Sequence, residues 1–184
     1  DLQAGDILLH CPKRPGVHQQ LISQQTGSPY THAAIYLGKE TIAEALTRGG
    51  VQKNPLSSVL EGANHVGVLR SQANFGPARA TQLNEFIDRV VEHARWYDFK
   101  GALNWPLTNS EFLASQMEYI AGHYGEFKSN EETAKSAFFC SALVVASFTA
   151  VGIIGPKAQV AYPPAAIAPG GLYADPTFGW LLGF

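Results

Sequence analysis

Cysteine is nearly absent from this chain of 184 residues; there are two, Cys11 and Cys140. Two cannot build a disulfide framework, and a reduced pair is the default expectation for them. Charge is also scarce, at 15% of residues, and a formal net charge of -2 gives no electrostatic basis for binding nucleic acid or an anionic membrane. No apolar run has the length and continuity to cross a bilayer; residues 138–154 come closest, and Cys, Ser, Thr and Gly interrupt them. CxxC, HxH and HExxH spacings are all lacking, so neither a metal site nor a cofactor is expected. There is no internal repeat and no low-complexity tract. The chain begins at Asp1 with neither Met nor a basic-then-apolar leader, as a processed form or an excised domain would.

What is present is apolar residues at 46%, with 18 Gly and 11 Pro scattered along the chain. That describes one loop-rich domain over residues 1–184 with a sizeable core. Short apolar runs in the first half read as strands. They are Ile7-Leu8-Leu9 after a Gly5-Asp6 turn, a strand opening at His32 and ending at Gly38, and its return over Thr41 to Ala45 about a Gly38-Lys39-Glu40 turn. A further strand follows Arg48-Gly49-Gly50, and another spans Val66 to Arg70. His18 to Gln25 reads as a short helix.

Arg79 to Tyr97 carries Leu83, Phe86, Ile87, Val90 and Val91 at helical spacing, and 108–128 reads as a second, weaker helix. Lys128 to Glu132 reads as a polar loop. The Pro-, Gly- and Ala-rich tail after Gly155-Pro156 reads as an extended cover over the surface. Strands precede helices without βαβ alternation, so the expected class is α+β, a small antiparallel sheet packed against helices.

The chemistry is expected at Cys140. It opens an apolar run in which Cys140, Leu143, Val144, Ser147, Phe148 and Val151 share one helical face, with Ser136 as the expected N-cap and Gly152 as the stop. A thiol in the first turn sits among unpaired backbone N–H groups at the positive end of the helix dipole, which favours thiolate. A nucleophile there needs a base. The six histidines are His10, His18, His32, His65, His93 and His123. His32 stands out because it opens a strand of apolar or small residues, and pairing about the Gly38 turn puts Glu44 near the same end. His10 and His18 flank a Pro/Gly loop; His93 reads as a solvated helix residue, and His65 and His123 as turn residues.

Several segments together resemble the circularly permuted NlpC/P60 (papain-like) superfamily, and within it the YiiX-like branch related to lecithin:retinol acyltransferase-like proteins. They are Gly5 to Leu9, Thr26 to Gly38, Ile42 to Ala45, Gly50-Val51, Trp96 to Gly101, Phe139 to Val144 and Tyr162 to Ala168. In that family the histidine precedes the cysteine, and the cysteine begins a helix packed on the sheet. The resemblance implies Cys140 as nucleophile, His32 as general base and then acid, and Glu44 as the third member that fixes the imidazole tautomer. Oxyanion and substrate contacts are expected from the Cys140 N–H and from Tyr30, His18, Gln19, Gln20 and Tyr97.

The implied activity is acyl transfer by a cysteine amidase or endopeptidase on short peptides, with bacterial peptidoglycan fragments as the leading substrate. A secreted effector or toxin, acting as a soluble domain outside the cytoplasm or in the periplasm, fits such a hydrolase. A lipid-directed thiol hydrolase or acyltransferase is the alternative, and a non-catalytic ligand-binding module on the same scaffold is the third reading. The apolar end (Phe178, Trp180, Leu181, Leu182, Phe184) serves either lipid contact or the core, with the core favoured.

Overall fold

The computed structural model describes residues 1–73, 75–93, 98, 100, 102, 112, 114–126 and 128–184, and of His18 the backbone. Strands β1 (Ile7–Pro12), β2 (His32–Gly38), β3 (Thr41–Leu46), β4 (Gly50–Pro55), β5 (Ala63–Arg70) and β6 (Trp180–Gly183) form one sheet. The order is β4-β3-β2-β1-β5-β6 and every pair is antiparallel. Strands β1 and β2 lie in the middle, which is why Ile7-Leu8-Leu9 and Ala33-Ala34-Ile35 are apolar on both faces and fully buried.

The β2–β3 turn is as tight as its sequence suggests. Lys39 (φ 51°) and Glu40 (φ 55°) both take the left-handed conformation, as a type I′ hairpin turn requires, and the Tyr36 hydroxyl accepts from the Glu40 N–H at 3.1 Å. The Gly5-Asp6 turn is anchored from far along the chain. Asp6, 1% exposed, accepts from the Gln3 N–H at 2.8 Å and from both Nε (2.8 Å) and Nη2 (2.6 Å) of Arg70 on β5.

One face of the sheet carries the main core. Helix α3 (Pro77–His93) buries Leu83, Phe86, Ile87 and Val90 there, and the expected continuation through 94–97 lies outside the described residues. The other face is smaller: Leu8, Ala34, Tyr36 and Ile42 lie under Val59 of the short helix α2 (Ser57–Leu60) and under Leu2. Helix α1 (Val17–Thr26) connects β1 to β2.

Of the expected 108–128 helix, the described residues include α4 (Gln116–His123), and 124–126 and 128 lie beyond its end without helical structure. The stretch read as a polar loop runs into α5 (Asn130–Ala134). It starts on a capping box in which Ser129 Oγ accepts from the Glu132 N–H at 3.2 Å and Glu132 Oε2 accepts from the Ser129 N–H at 2.9 Å. Ser129-Asn130-Glu131-Glu132 carries the S-x-x-E signature of that box, so the local signal was available.

Helix α6 (Cys140–Ala150) begins where expected, but its N-cap is Phe139, with extended backbone, rather than Ser136. It ends at Val151 and Gly152, whose φ of 72° is the left-handed stop. The expected single apolar face understates its environment. Every residue from Cys140 to Phe148 is buried, because α6 is wedged between β2 and β3, helix α3, and the C-terminal segment. A helix enclosed all round needs no polar face.

The tail is not an extended cover. It folds into two single turns of 3-10 helix (Gln159–Ala161 and Pro164–Ala166), helix α7 (Pro169–Ala174) and edge strand β6. Proline at the first helical positions is compatible with such turns because its missing N–H has no partner to lose there. Phe178 is fully buried against Phe148, with ring centres 5.4 Å apart, and so completes the core. Trp180, Leu182 and Phe184 stay exposed, as alternation along an edge strand dictates.

Candidate active site

The β2–β3 hairpin sets the first pair. Glu44 lies directly across from Ala34, so His32 is its diagonal neighbour on the same face of the sheet. His32 Nε2 and Glu44 Oε2 are 2.7 Å apart. The other oxygen of Glu44 accepts from Asn54 Nδ2 at 3.0 Å and from Ser58 Oγ at 3.2 Å. Asn54 sits on β4 opposite Ile42, one step along the same face from Glu44. The carboxylate is 4% exposed and fully hydrogen-bonded. Burial pushes it up, but the His32 hydrogen bond and charge, with the Asn54 and Ser58 donors, hold it below the usual carboxylate range.

Pairing between β2 and β3 stops at Ala34 and Glu44. Beyond that point the Ala33 N–H is free of the ladder, and it donates to the sulfur of Cys140. The Ser141 N–H donates there as well, from the first turn of α6. Cys140, 5% exposed, also hydrogen-bonds to the His32 ring. Since Nε2 faces Glu44, Nδ1 is the nitrogen left for the thiol. Burial raises the thiol, and the bond and charge from His32 with the two N–H groups outweigh it, so Cys140 is held below an ordinary thiol. For His32, burial pushes the imidazole down, while the hydrogen bonds and charges of Cys140 and Glu44 more than offset it and push it up to about 10. At a helix N-terminus both shifts favour the thiolate–imidazolium form of the pair, the form able to attack a carbonyl carbon and return a proton.

The structure thus brings Cys140, His32 and Glu44 together. The other expected residues are placed elsewhere or lie outside the description. Gln19 Oε1 accepts from the Gly16 N–H at 2.9 Å and Gln20 Nε2 donates to the Pro15 carbonyl at 3.1 Å, so both serve the start of α1. Tyr30 is buried with its ring against His65 (5.7 Å) and Tyr173 (5.5 Å), and its hydroxyl lies over Gly67, where a Cβ would approach it to 2.8 Å. The His18 side chain and all of Tyr97 lie outside the described residues.

Asn54 and Ser58 were missed by sequence reasoning; His10, expected beside a Pro/Gly loop where it could line a pocket, faces His32 directly across the β1–β2 ladder. The signal for Asn54 was weak but present, a polar residue on a third strand at even spacing from the hairpin. His65, expected in a turn, is on β5.

A cavity of about 540 Å³ runs along α6 and is lined by Phe139, Ala142, Ala146, Tyr162 and Glu126 among others, but by neither Cys140 nor His32. At about 100° per residue, Ala142 and Ala146 point about 160° and 120° away from Cys140 around the helix. We therefore attach the chemistry to the hydrogen-bonded group and not to this cavity. Among the described residues no three His, Cys, Asp or Glu side chains are grouped to hold a metal ion. No described helix is long and apolar enough to cross a membrane.

With this geometry in hand, residues 1–102 match the family described as permuted papain-like amidase enzyme, YaeF/YiiX, C92 family. His32 and Glu44 fall inside the matched residues, and Cys140 lies beyond them. The chain is 26% identical over 162 residues to the probable lipoprotein peptidase YaeF of Escherichia coli (strain K12), covering 83% of this chain and 57% of that protein. It resembles the crystal structure of the metalloprotein yiiX from Escherichia coli O157:H7 with a TM-score of 0.52 at 18% identity, covering 79% of this chain and 64% of that one. The chain therefore spans less than two thirds of either relative. The second likeness supports the fold: an α+β permuted papain-like architecture.

Proposed function

This chain belongs to the permuted papain-like amidase family, and we propose that it is a cysteine amidase or peptidase working through Cys140, His32 and Glu44. The observation that carries the reading is the buried chain of hydrogen bonds from thiol to imidazole to a carboxylate 2.7 Å away. The Cys140 thiolate attacks the carbonyl carbon of an amide. The oxyanion that forms is held by the N–H of Cys140, unpaired in the first turn of α6. The His32 imidazolium gives its Nδ1 proton to the leaving nitrogen as the C–N bond breaks. His32 then takes a proton from water, which attacks the thioester and releases the acid. Glu44 keeps Nε2 protonated throughout, so the working nitrogen stays turned to the sulfur.

The substrate we infer is a short peptide amide, with bacterial peptidoglycan peptides as the leading class and a secreted effector or toxin as the setting. A second reading, a lipid-directed hydrolase or acyltransferase, draws on the exposed Trp180, Leu182 and Phe184 at the β6 edge. One experiment separates them. The protein and its Cys140→Ala variant are incubated with purified peptidoglycan and with phospholipid vesicles, and products are identified by mass spectrometry. Cys140-dependent muropeptides support the first reading, and Cys140-dependent fatty-acid release or transfer supports the second. Identical products from both proteins on both substrates would overturn the catalytic assignment.

A further inference from the structure

His10 is used by nothing in the reaction just described, yet it sits beside the reacting pair. It lies on β1 directly opposite His32 in the ladder, and the two rings meet edge-on, 6.5 Å between centres at 77°. The Glu61 backbone carbonyl, in the connection between α2 and β5, accepts a hydrogen bond from the His10 ring. Nδ1 is buried and has no hydrogen-bond partner among the described residues, so the donor to Glu61 is Nε2–H and the tautomer is set. An unpartnered buried nitrogen is unfavourable, and an apolar ring would fill the same space without that penalty. Among the described residues, few groups act on the His10 ring or pair with it across β5. They are His32 from β2, Glu44 from β3, the Glu61 carbonyl, and on the β5 side the apolar Val66. Besides the Glu61 carbonyl, the described residues give the His10 ring an edge-on contact with the imidazole of the candidate site.

We infer that His10 is a positioning residue for His32: its neutral ring holds the imidazolium edge-on for Cys140 and Glu44, and its own protonation dissolves the thiolate–imidazolium pair on the acid side. The inference rests on the reading of Cys140 and His32 as a working pair. A second cation one ladder position from the imidazolium repels it, and the repulsion is relieved when His32 hands its proton to Cys140 and the nucleophile becomes a thiol. Burial and the charge on His32 both hold His10 below an ordinary histidine, which keeps it neutral around neutral pH.

The test reads the sulfur directly and needs no substrate. The rate of Cys140 alkylation by iodoacetamide is followed between about pH 4 and pH 8, with the labelled peptide identified by mass spectrometry so that Cys11 does not contribute. Wild-type protein is compared with His10→Phe, which keeps a ring but cannot be protonated, and His10→Gln, which keeps an N–H for Glu61. In both variants the acid-side fall in rate is expected to move to lower pH by about half a unit or more, because the competing cation is gone. Acid-side falls that superimpose on wild type would overturn the proposal. If neither variant folds, nitrogen NMR of the wild-type histidines decides it. His32 signals that shift at the midpoint of His10 support the coupling, and His32 signals that ignore that midpoint overturn it. A wild-type Cys140 that alkylates with the pH profile of an ordinary thiol would instead defeat the paired thiolate itself, so the two failures are distinguishable.

Discussion

Two buried carboxylates on this sheet are built almost alike and do different things. Asp6 and Glu44 are 1% and 4% exposed, each carries three hydrogen bonds, and each contacts a nitrogen base, at 2.6 Å for Arg70 and 2.7 Å for His32. The difference is in the partner. Arg70 keeps its charge at every accessible pH and binds with two nitrogens of a planar fork, so that pair is a fixed brace between the start of β1 and the end of β5. His32 can gain or lose a proton and offers its second nitrogen to Cys140. A carboxylate of the same burial therefore acts as structure in one place and, in the function we propose, as part of a reacting relay in the other. What decides is whether the base it holds can change charge and whether something reactive lies on that base's far side.

That contrast is broken most strongly at Glu44. Glu44→Gln keeps an oxygen for Asn54 and Ser58 but removes the charge that holds the His32 tautomer. The expected loss in kcat/KM is about 10² to 10⁴, the range for displacing the orienting member of a triad, with the folded structure retained. Asp6→Asn should do the reverse. Removing one side of a part-buried pair leaves Arg70 facing an amide, and unfolding free energy should fall by about 2 kcal/mol, roughly 4 to 8 °C in melting temperature. The rate of folded protein should stay within about threefold of wild type, since Asp6 touches none of the reacting groups. Steady-state kinetics and thermal melts on both variants check the pair of expectations; a Glu44→Gln protein as active as wild type would erase the distinction.

The pH dependence sharpens it next. His32 is raised to about 10, so its contribution to stability is complete below the ordinary imidazole value and is lost as pH rises through about 10. Glu44 is lowered, so its contribution is complete above the ordinary carboxylate value and is lost as pH falls through its own lower one. Turnover needs the His32 proton for the leaving nitrogen and should fall about tenfold per unit above pH 10. Alkylation of Cys140 needs only the thiolate and should not fall there. Parallel alkaline losses of both rates would show that the fold, and not the proton on His32, fails at high pH.

The legibility of these two carboxylates in the sequence differed for a physical reason. His32 and Glu44 are 12 residues apart on one hairpin, and a two-residue turn sets their register within the local sequence. Helix α6 was legible because an apolar run ending at Gly152 has few other ways to fold. Asp6 and Arg70 are 64 residues apart, and His10 reaches His32 only after a helical excursion, so both depend on long-range strand order that no local pattern carries. The wrap of the tail into α7 and β6 was hidden for the same reason, since its proline-rich sequence fits an extended path as well as short turns. The box at Ser129 is different in kind. Its four residues state it plainly, and the run of charge around them masked it.

A third carboxylate supplies the weakest arm of the comparison. Glu132 accepts from the Ser129 N–H at 2.9 Å and from the Ser129 hydroxyl at 2.8 Å, and both hold it below the usual carboxylate range. By distance alone it equals Glu44. It lies at the solvent-exposed start of a five-residue helix, however, where water replaces any bond it loses. Glu132→Gln retains a side-chain oxygen for the same N–H and removes only a screened charge. The melting temperature should therefore stay within about one degree of wild type, at low and at high salt, and turnover should not change. A drop comparable to that of Asp6→Asn would mean that short hydrogen bonds to a carboxylate determine stability in this protein whatever their burial, and the division drawn between brace, relay and surface would have to be abandoned.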